Sequence, residues 1–302
     1  RNGAITNLVL SSPTSPSEGF TLRASMFPFL DNFGNVVPAD PCFDSSPKFN
    51  ESPKTIICTG YPFAYSHNAS DEELDVVYYA WDEPLDDFGG AFNPPLNPAP
   101  LPWLAPYTYD NPLPGGVTLD SVTGEIAYNS TQAGNFVTVV RIDAYKCDQL
   151  VAQIYREIQA VLLTCPTLSS GTNNVPPTVP APFTDPITGL PSYSTSVAAG
   201  SVINFAISSD DFDIYANGQP QDVSLEITGG QMAGDFITNT DCINAPCATF
   251  ANSAGLPPPF SSPTTVDGYF NWETACSHVS TSAGCGSISN LYTFAIKAYD
   301  DF

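Results

Sequence analysis

Residues 116–145 read GVTLDSVTGEIAYNSTQAGNFVTVVRIDAY, and this stretch decides the fold. Residues 120–124 carry Asp and Gly, which favour a reversal of the chain. Beyond them, Phe136, Val140 and Ile142 belong to an apolar alternation of period two, the pattern of a strand with a buried face. Similar strand signals recur at 291–301, LYTFAIKAYDD. The sequence therefore predicts an all-β chain that repeats one β-sandwich module in tandem.

Residues 148–165, DQLVAQIYREIQAVLLTC, are the one stretch that also suits a helix. Leu150, Ile154 and Ile158 are spaced by four, which fits both a helical and a strand period. Because this stretch follows the 136–145 strand after a short polar turn, we predict a β-hairpin.

Length and composition bound the domain organisation. The 302 residues suffice for about two domains, and 30 prolines with 21 glycines favour many short strands. Proline-rich joints at 40–53 and 169–186 mark the boundaries. We predict closing strands of a preceding β domain at 1–45, a β-sandwich at 46–168 and a second β-sandwich at 169–302 that is incomplete at its C-terminal end. We expect these residues to belong to a longer protein.

The charge balance is strongly acidic, with 31 acidic residues against eight basic ones and a formal net charge of -23. Such a chain repels nucleic acid and anionic membrane surfaces, so nucleic-acid binding is excluded as a function. No apolar run approaches the roughly 20 residues of a membrane span, so none is predicted. The acidic excess suits a protein surrounded by divalent cations or salt, and simple solubility is the alternative.

The eight cysteines indicate disulfides. They contain no CxxC spacing, and only two histidines accompany them, which argues against zinc. Disulfides imply an oxidising, extracellular location. We predict local loop bridges between Cys242 and Cys247 and between Cys276 and Cys285. The remaining four, Cys42, Cys58, Cys147 and Cys165, allow three connectivities that the sequence leaves open.

Two acidic runs are candidate calcium sites, because calcium takes about six to eight oxygen ligands. The predicted ligands are Asp71, Glu73 and Asp75 in the first run and Asp210, Asp211 and Asp213 in the second. The alternative is that both runs are ordinary solvated loops. Calcium is the one cofactor that the sequence suggests.

A proline-rich aromatic segment at 92–116 is a candidate contact surface. Its prolines favour stiff, extended backbone, and Trp103, Tyr107 and Tyr109 are then displayed to a ligand or a neighbouring subunit. A carbohydrate-binding module that stacks sugars on these rings is the alternative function. The simpler structural alternative is that the rings fold back and cover their own sheet.

Nothing in the sequence points to an enzyme. The chain lacks a G-x-S-x-G nucleophile motif, and its acidic residues are numerous enough to supply chance carboxylate pairs. We treat His67 and His278 as surface residues without a catalytic role.

Several segments resemble the large repetitive cell-surface proteins that gliding and filament-bearing Bacteroidota export through the type IX secretion system. They are RNGAITNL at 1–8, SSPKF with CTGYPFAYSHNASDEELDVVYY at 45–79, the 116–145 stretch, and FNW with YTFAIKAYDD at 270–301. The resemblance implies tandem Ig-like or PKD-like β-sandwich domains with disulfide-stapled loops.

The resemblance also implies a structural and adhesive role at the cell surface. The expected parts of that role are a homo-oligomeric filament or an adhesin for attachment, gliding or capture of other cells. The expected partners are neighbouring domains of the same long chain and surface glycans. One departure concerns calcium: the family's Asp-x-Asp-Gly-Asp loop reads DEELD at 71–75, and its missing glycine argues against a calcium site there.

Overall fold

The structure is a computed structural model that describes residues 5–10, 19–37, 44–88, 91, 96–165, 174–233, 241–279 and 289–301. It divides into two compact units, Arg1–Cys165 and Pro166–Phe302. The described residues form β-strands and one short 3-10 turn, Cys276–His278, and they contain no α-helix. In each unit two sheets pack face to face on an apolar core, an immunoglobulin-like arrangement. The all-β tandem prediction is therefore confirmed.

The described residues of the first unit form ten strands. They are β1 (Ala24–Met26), β2 (Lys48–Phe49), β3 (Ile56–Cys58), β4 (Pro62–Ser66), β5 (Ala69–Ser70), β6 (Val76–Trp81), β7 (Val117–Leu119), β8 (Glu125–Asn129), β9 (Gly134–Lys146) and β10 (Gln149–Leu163). One sheet has the order β1-β10-β9-β6, with β3 also on β10, and the other has the order β4-β8-β7. The short strands β2 and β5 pair with each other.

The β9–β10 hairpin forms the centre of the first unit. Its strands pair antiparallel from Gln149 opposite Lys146 to Leu162 opposite Gly134. Both turn residues, Cys147 and Asp148, have positive φ (47° and 62°), as the tight two-residue turns of β-hairpins require. The hairpin predicted from residues 136–165 is confirmed.

Strand β9 is buried on both faces, which the sequence pattern did not indicate. Phe136 and Ile142 face the main core between the sheets, whereas Val137 and Val139 lie in a second cluster with Ile5 and Leu8. A strand with two apolar faces needs cover on both sides. The N-terminal segment supplies this cover on the second side.

The prediction that residues 1–45 close a preceding domain is therefore corrected. The described part of this segment belongs to the first unit: Ile5 bridges to Asn135, and β1 pairs with β10, Ala24 opposite Ile154. The boundary between the units falls after Cys165, three residues before the predicted one.

Gly124 shows why the turn at 120–124 needs its glycine. Its φ is 68°, a left-handed conformation that side chains with a Cβ rarely adopt. A Cβ there would also lie 2.4 Å from the ring of Tyr79. The turn thereby seats Tyr79 in the core, where its hydroxyl accepts a 2.8 Å hydrogen bond from the Ala69 N–H.

The second unit is a smaller sandwich, and the part of it that the structure describes has eight strands. They are β11 (Phe183–Thr184), β12 (Pro191–Ser192), β13 (Val202–Asp210), β14 (Asp222–Thr228), β15 (Thr249–Ala251), β16 (Phe260–Pro263), β17 (Thr265–Glu273) and β18 (Ala295–Asp300). Sheets β13-β17-β15 and β16-β14-β18 enclose a core that includes Leu225, Phe250 and Phe270. Gly268 makes room for this core, because a Cβ on it would meet the Phe250 ring at 2.1 Å.

Two disulfides lie within the described residues. The parallel pairing of β3 with β10 sets Cys58 opposite Leu163, so Cys165 comes within bonding reach, and the Cys58–Cys165 bridge forms with 5.3 Å between the Cα atoms. The predicted Cys242–Cys247 loop bridge is also present. Cys147 is disulfide-bonded as well, whereas Cys42 lies outside the described residues.

The predicted Cys276–Cys285 bridge is corrected. Cys276 is a free, exposed cysteine, and Cys285 lies outside the described residues. Cys276 begins the short turn that follows β17, where His278 is the buried residue. The spacing of nine residues permits a bridge but does not impose one.

Candidate metal centre

Strand pairing brings one lysine and two aspartates together at the turn end of the β9–β10 hairpin. Asp75 directly precedes β6, Lys146 ends β9, and the register places Val76 opposite Tyr145. The Lys146 Nζ donates to Asp75 Oδ2 at 2.8 Å and to Asp44 Oδ1 at 2.9 Å. All three side chains are almost completely buried, so these ion pairs lie out of reach of bulk water.

The 71–75 loop presents a third carboxylate to the same place. Asp71 Oδ1 accepts hydrogen bonds from the N–H groups of Glu73 (3.0 Å) and Asp75 (3.1 Å), which closes the loop as an Asx turn. Leu74 has a φ of 63° at the position where the resembling family has its glycine. The loop therefore keeps a left-handed turn without glycine, and the argument against a calcium site that rested on the lost glycine does not hold.

Asp44, Asp71 and Asp75 form the one group of potential metal ligands found among the described residues. Each offers a carboxylate oxygen, and the three oxygens lie within 4.8 Å of one another. One oxygen of each residue is buried without a hydrogen-bond partner: Asp44 Oδ2, Asp71 Oδ2 and Asp75 Oδ1. Orphaned carboxylate oxygens of this kind fit the hard oxygen donors that calcium prefers.

The third predicted ligand, Glu73, does not belong to this group. Its Oε2 instead accepts hydrogen bonds from the Ser45 hydroxyl (2.7 Å) and the Ser45 N–H (3.2 Å). This contact holds the segment that carries Asp44 against the loop. The structure thus replaces Glu73 in the predicted set with Asp44.

The electrostatics of the site reflect excess buried negative charge. Burial raises the pKa of Asp71 to about 7, with a smaller opposing effect from the hydrogen bond of the Asp75 N–H. Burial likewise raises the pKa of Asp75, although Lys146 opposes this shift. Burial alone would lower the pKa of Lys146, but its hydrogen bonds to Asp75 and Asp44 outweigh that effect and raise it.

The second acidic run does not assemble in the same way. Asp210 is exposed at the end of β13, Asp211 is buried, and Asp213 Oδ2 accepts a 2.7 Å hydrogen bond from the Val175 N–H. The pKa of Asp211 is raised by burial and then by the charges of Asp213, Asp300 and Asp301. The described residues of this unit contain no group of three ligands close enough to hold a metal ion.

The predicted aromatic platform is not formed. Tyr107 is a core residue, with its ring centroid 5.7 Å from that of Phe136. Trp103 packs against two apolar clusters, and its Nε1–H donates to Glu83 Oε2 at 2.6 Å. Only Tyr109 of the three is exposed. The rings of Trp103 and Tyr107 cover their own sheet, and the interpretation of Trp103, Tyr107 and Tyr109 as a displayed sugar-stacking surface is corrected.

Both histidines are buried, contrary to their treatment as surface residues. His67 is 0% exposed beside the rings of Phe49 and Tyr65, and neither of its ring nitrogens has a hydrogen-bond partner. His278 accepts a hydrogen bond from the Ala275 N–H at Nδ1 (2.8 Å). Its Nε2 lies 2.8 Å from the carbonyl oxygen of Asn244, so the Nε2–H donates there. Sequence context showed acidic and cysteine-rich neighbours but no sign of this burial.

Similarity to known proteins does not assign this chain to a family. No protein-family model matches the chain, and no curated protein matches it. Among solved structures it matches a chimeric titin Z1Z2-Z1Z2 tandem functionalized with a GRGDS peptide from fibronectin. The identity is 11%, the match covers 84% of this chain and 97% of that chain, and the TM-score is 0.18. At this TM-score the match carries no argument about the fold or function of the chain.

The buried His67 gives a pH dependence that a His67→Phe variant isolates. Burial, aided by the charge of Arg156, lowers the pKa of His67 from 6.5 to about 3. Between these values the unfolded chain binds a proton that the folded chain does not. The stability that neutral His67 provides is therefore complete above pH 6.5 and is lost as the pH falls.

At pH 5 this loss corresponds to about 2 kcal/mol. We expect the unfolding free energy of the native chain to fall by that amount relative to His67→Phe between pH 7.5 and pH 5. Denaturant unfolding at both pH values measures the difference. If the difference in unfolding free energy between the native chain and His67→Phe is the same at both pH values, His67 takes up a proton in the folded state and the prediction is wrong.

Proposed function

We propose that this chain is a structural and adhesive segment of an extracellular cell-surface protein, and that it carries load along a string of β-sandwiches. The observation that carries the proposal is the construction of the two units. Each unit has a hydrophobic core of its own and a disulfide of its own. Disulfides are stable in oxidising compartments, which supports an extracellular location.

The Cys58–Cys165 bridge gives this proposal a mechanical basis. It joins residues that are 107 positions apart in the sequence, one in β3 and the other just after β10. Tension that enters the chain before Cys58 and leaves after Cys165 passes through the sulfur–sulfur bond. The intervening strands, including the β9–β10 hairpin, are then not extended when the chain is pulled.

The partners that we propose are neighbouring domains of a longer chain and further copies in a filament. Among the described strands, β13 pairs along its length only with β17, and on its other side one bridge joins Asp210 to Thr178. An edge strand of this kind can accept a strand from another unit. The described residues contain no helix of the length and apolarity needed to cross a membrane.

A non-enzymatic role is part of this proposal, and the placement of the two histidines supports it. His67 and His278 are buried, so neither imidazole is open to a substrate. A carbohydrate-binding role is not part of this proposal, because Tyr107 lies in the core and Trp103 packs against it.

Single-molecule stretching of the full chain tests the mechanical role. With the disulfides intact, the 107-residue segment closed by Cys58–Cys165 does not extend. Adding a thiol reductant should lengthen the unfolded chain by about 37 nm, at about 3.5 Å per residue.

A Cys242→Ala, Cys247→Ala double variant is the matched control. It should show the same gain on reduction, because the small loop in the second unit contributes only a few residues. An equal extension with and without reductant would contradict the load-bearing role.

Antibody labelling tests the adhesive and surface role. We expect an antibody against the folded chain to label intact cells of the organism that makes the protein, and the purified chain to compete with the attachment of those cells. Labelling that requires permeabilised cells, or attachment that the added chain leaves unchanged, would contradict this part of the proposal.

A further inference from the structure

We propose that Asp44, Asp71 and Asp75 bind one divalent cation beside the Lys146 ammonium, and that calcium is the ion whose ligand preference matches the site. The site joins three parts of the first unit: the segment before β2, the loop between β5 and β6, and the end of β9. The proposal depends on which oxygens Lys146 leaves unused and on the charge that it leaves uncompensated.

Lys146 satisfies only part of the site. Its ammonium binds one oxygen of Asp44 and one of Asp75. The second oxygens of Asp44 and Asp75, together with Asp71 Oδ2, have no hydrogen-bond partner. Buried carboxylate oxygens without a partner are costly. A ligand that accepts lone pairs from all three would remove that cost.

The charge of the site identifies the kind of ligand. When all three carboxylates are ionised, as ligands of a metal ion are, the one ammonium leaves two negative charges among side chains that are nearly or fully buried. Glu73, held at the edge of the site by Ser45, adds a further negative charge. One divalent cation neutralises the two buried charges, whereas burying them uncompensated destabilises the fold.

The donor set distinguishes calcium from softer metals. Carboxylate oxygens are the ligands of calcium and magnesium, and the described residues of the site include no imidazole or thiolate that would select zinc or copper. Calcium tolerates an irregular ligand set completed by water or backbone oxygens, whereas magnesium demands near-ideal octahedral geometry. Three carboxylates from two separate segments, Asp44 from one and Asp71 and Asp75 from the other, therefore fit calcium better.

Thermal unfolding of the full chain, first stripped of metal with a chelator, tests the proposal. Cation binding to the folded state alone raises its stability by mass action. We expect the transition of the first unit to move to higher temperature as CaCl₂ rises, with a smaller effect from MgCl₂. Isothermal titration should find one more calcium site in the native chain than in an Asp71→Asn variant.

We also expect calcium to reverse the order in which the Asp71→Asn variant and the native chain unfold on heating. Asparagine keeps the Oδ1 acceptor for the loop N–H groups but removes one negative charge. In chelator the variant should therefore unfold at a higher temperature than the native chain, because less buried charge is uncompensated. In calcium the native chain should unfold at the higher temperature.

Asp120→Asn is the matched control. Asp120 also accepts two loop N–H groups through Oδ1, from Val122 (2.8 Å) and Thr123 (2.7 Å), but it is exposed. This variant should keep the full calcium response. The proposal is overturned if the native first unit shows no response to millimolar CaCl₂, or if Asp71→Asn responds as strongly as the native chain.

Discussion

The antiparallel pairing of β9 with β10 is the constraint on which the first unit depends. Strand β9 supplies Phe136 and Ile142 to the main core and Val137 and Val139 to the cluster on its other face. The turn end of the hairpin places Lys146 in the acidic site. At the opposite end β10 runs into Cys165, where the disulfide closes the unit. Core, acidic site and covalent bridge therefore share one scaffold.

The sequence was sufficient for features that depend on local pattern. Period-two alternation and turn chemistry predicted the hairpin and the all-β class, and five residues of separation sufficed for the Cys242–Cys247 bridge. Alternation of period two indicates one buried face of a strand. It therefore gave no sign that Val137 and Val139, on the other face of β9, are also buried, against the N-terminal segment. For the same reason the assignment of residues 1–45 to a preceding domain was wrong, and the burial of His67 was missed. For Tyr107 the structural alternative, a ring that covers its own sheet, is the one that holds.

The candidate site shows the same division between local and long-range information. Asp71 and Asp75 were predicted because they lie four residues apart in one acidic loop. Lys146 is 71 residues from Asp75 along the chain, and Asp44 reaches the site through the pairing of β2 with β5. No local pattern links these residues. One usable signal existed, since a lysine at a hairpin turn is conspicuous in a chain with eight basic residues.

Native-state hydrogen exchange tests the central position of the hairpin most directly. Strand β9 is hydrogen-bonded on one side to β10 and on the other to β6. Its amide hydrogens should therefore exchange only when the whole first unit unfolds. The account predicts that Val140, Ile142 and Ala144 are among the slowest amides of the first unit to exchange. Faster exchange in β9 and β10 than in the β4-β8-β7 sheet would contradict it.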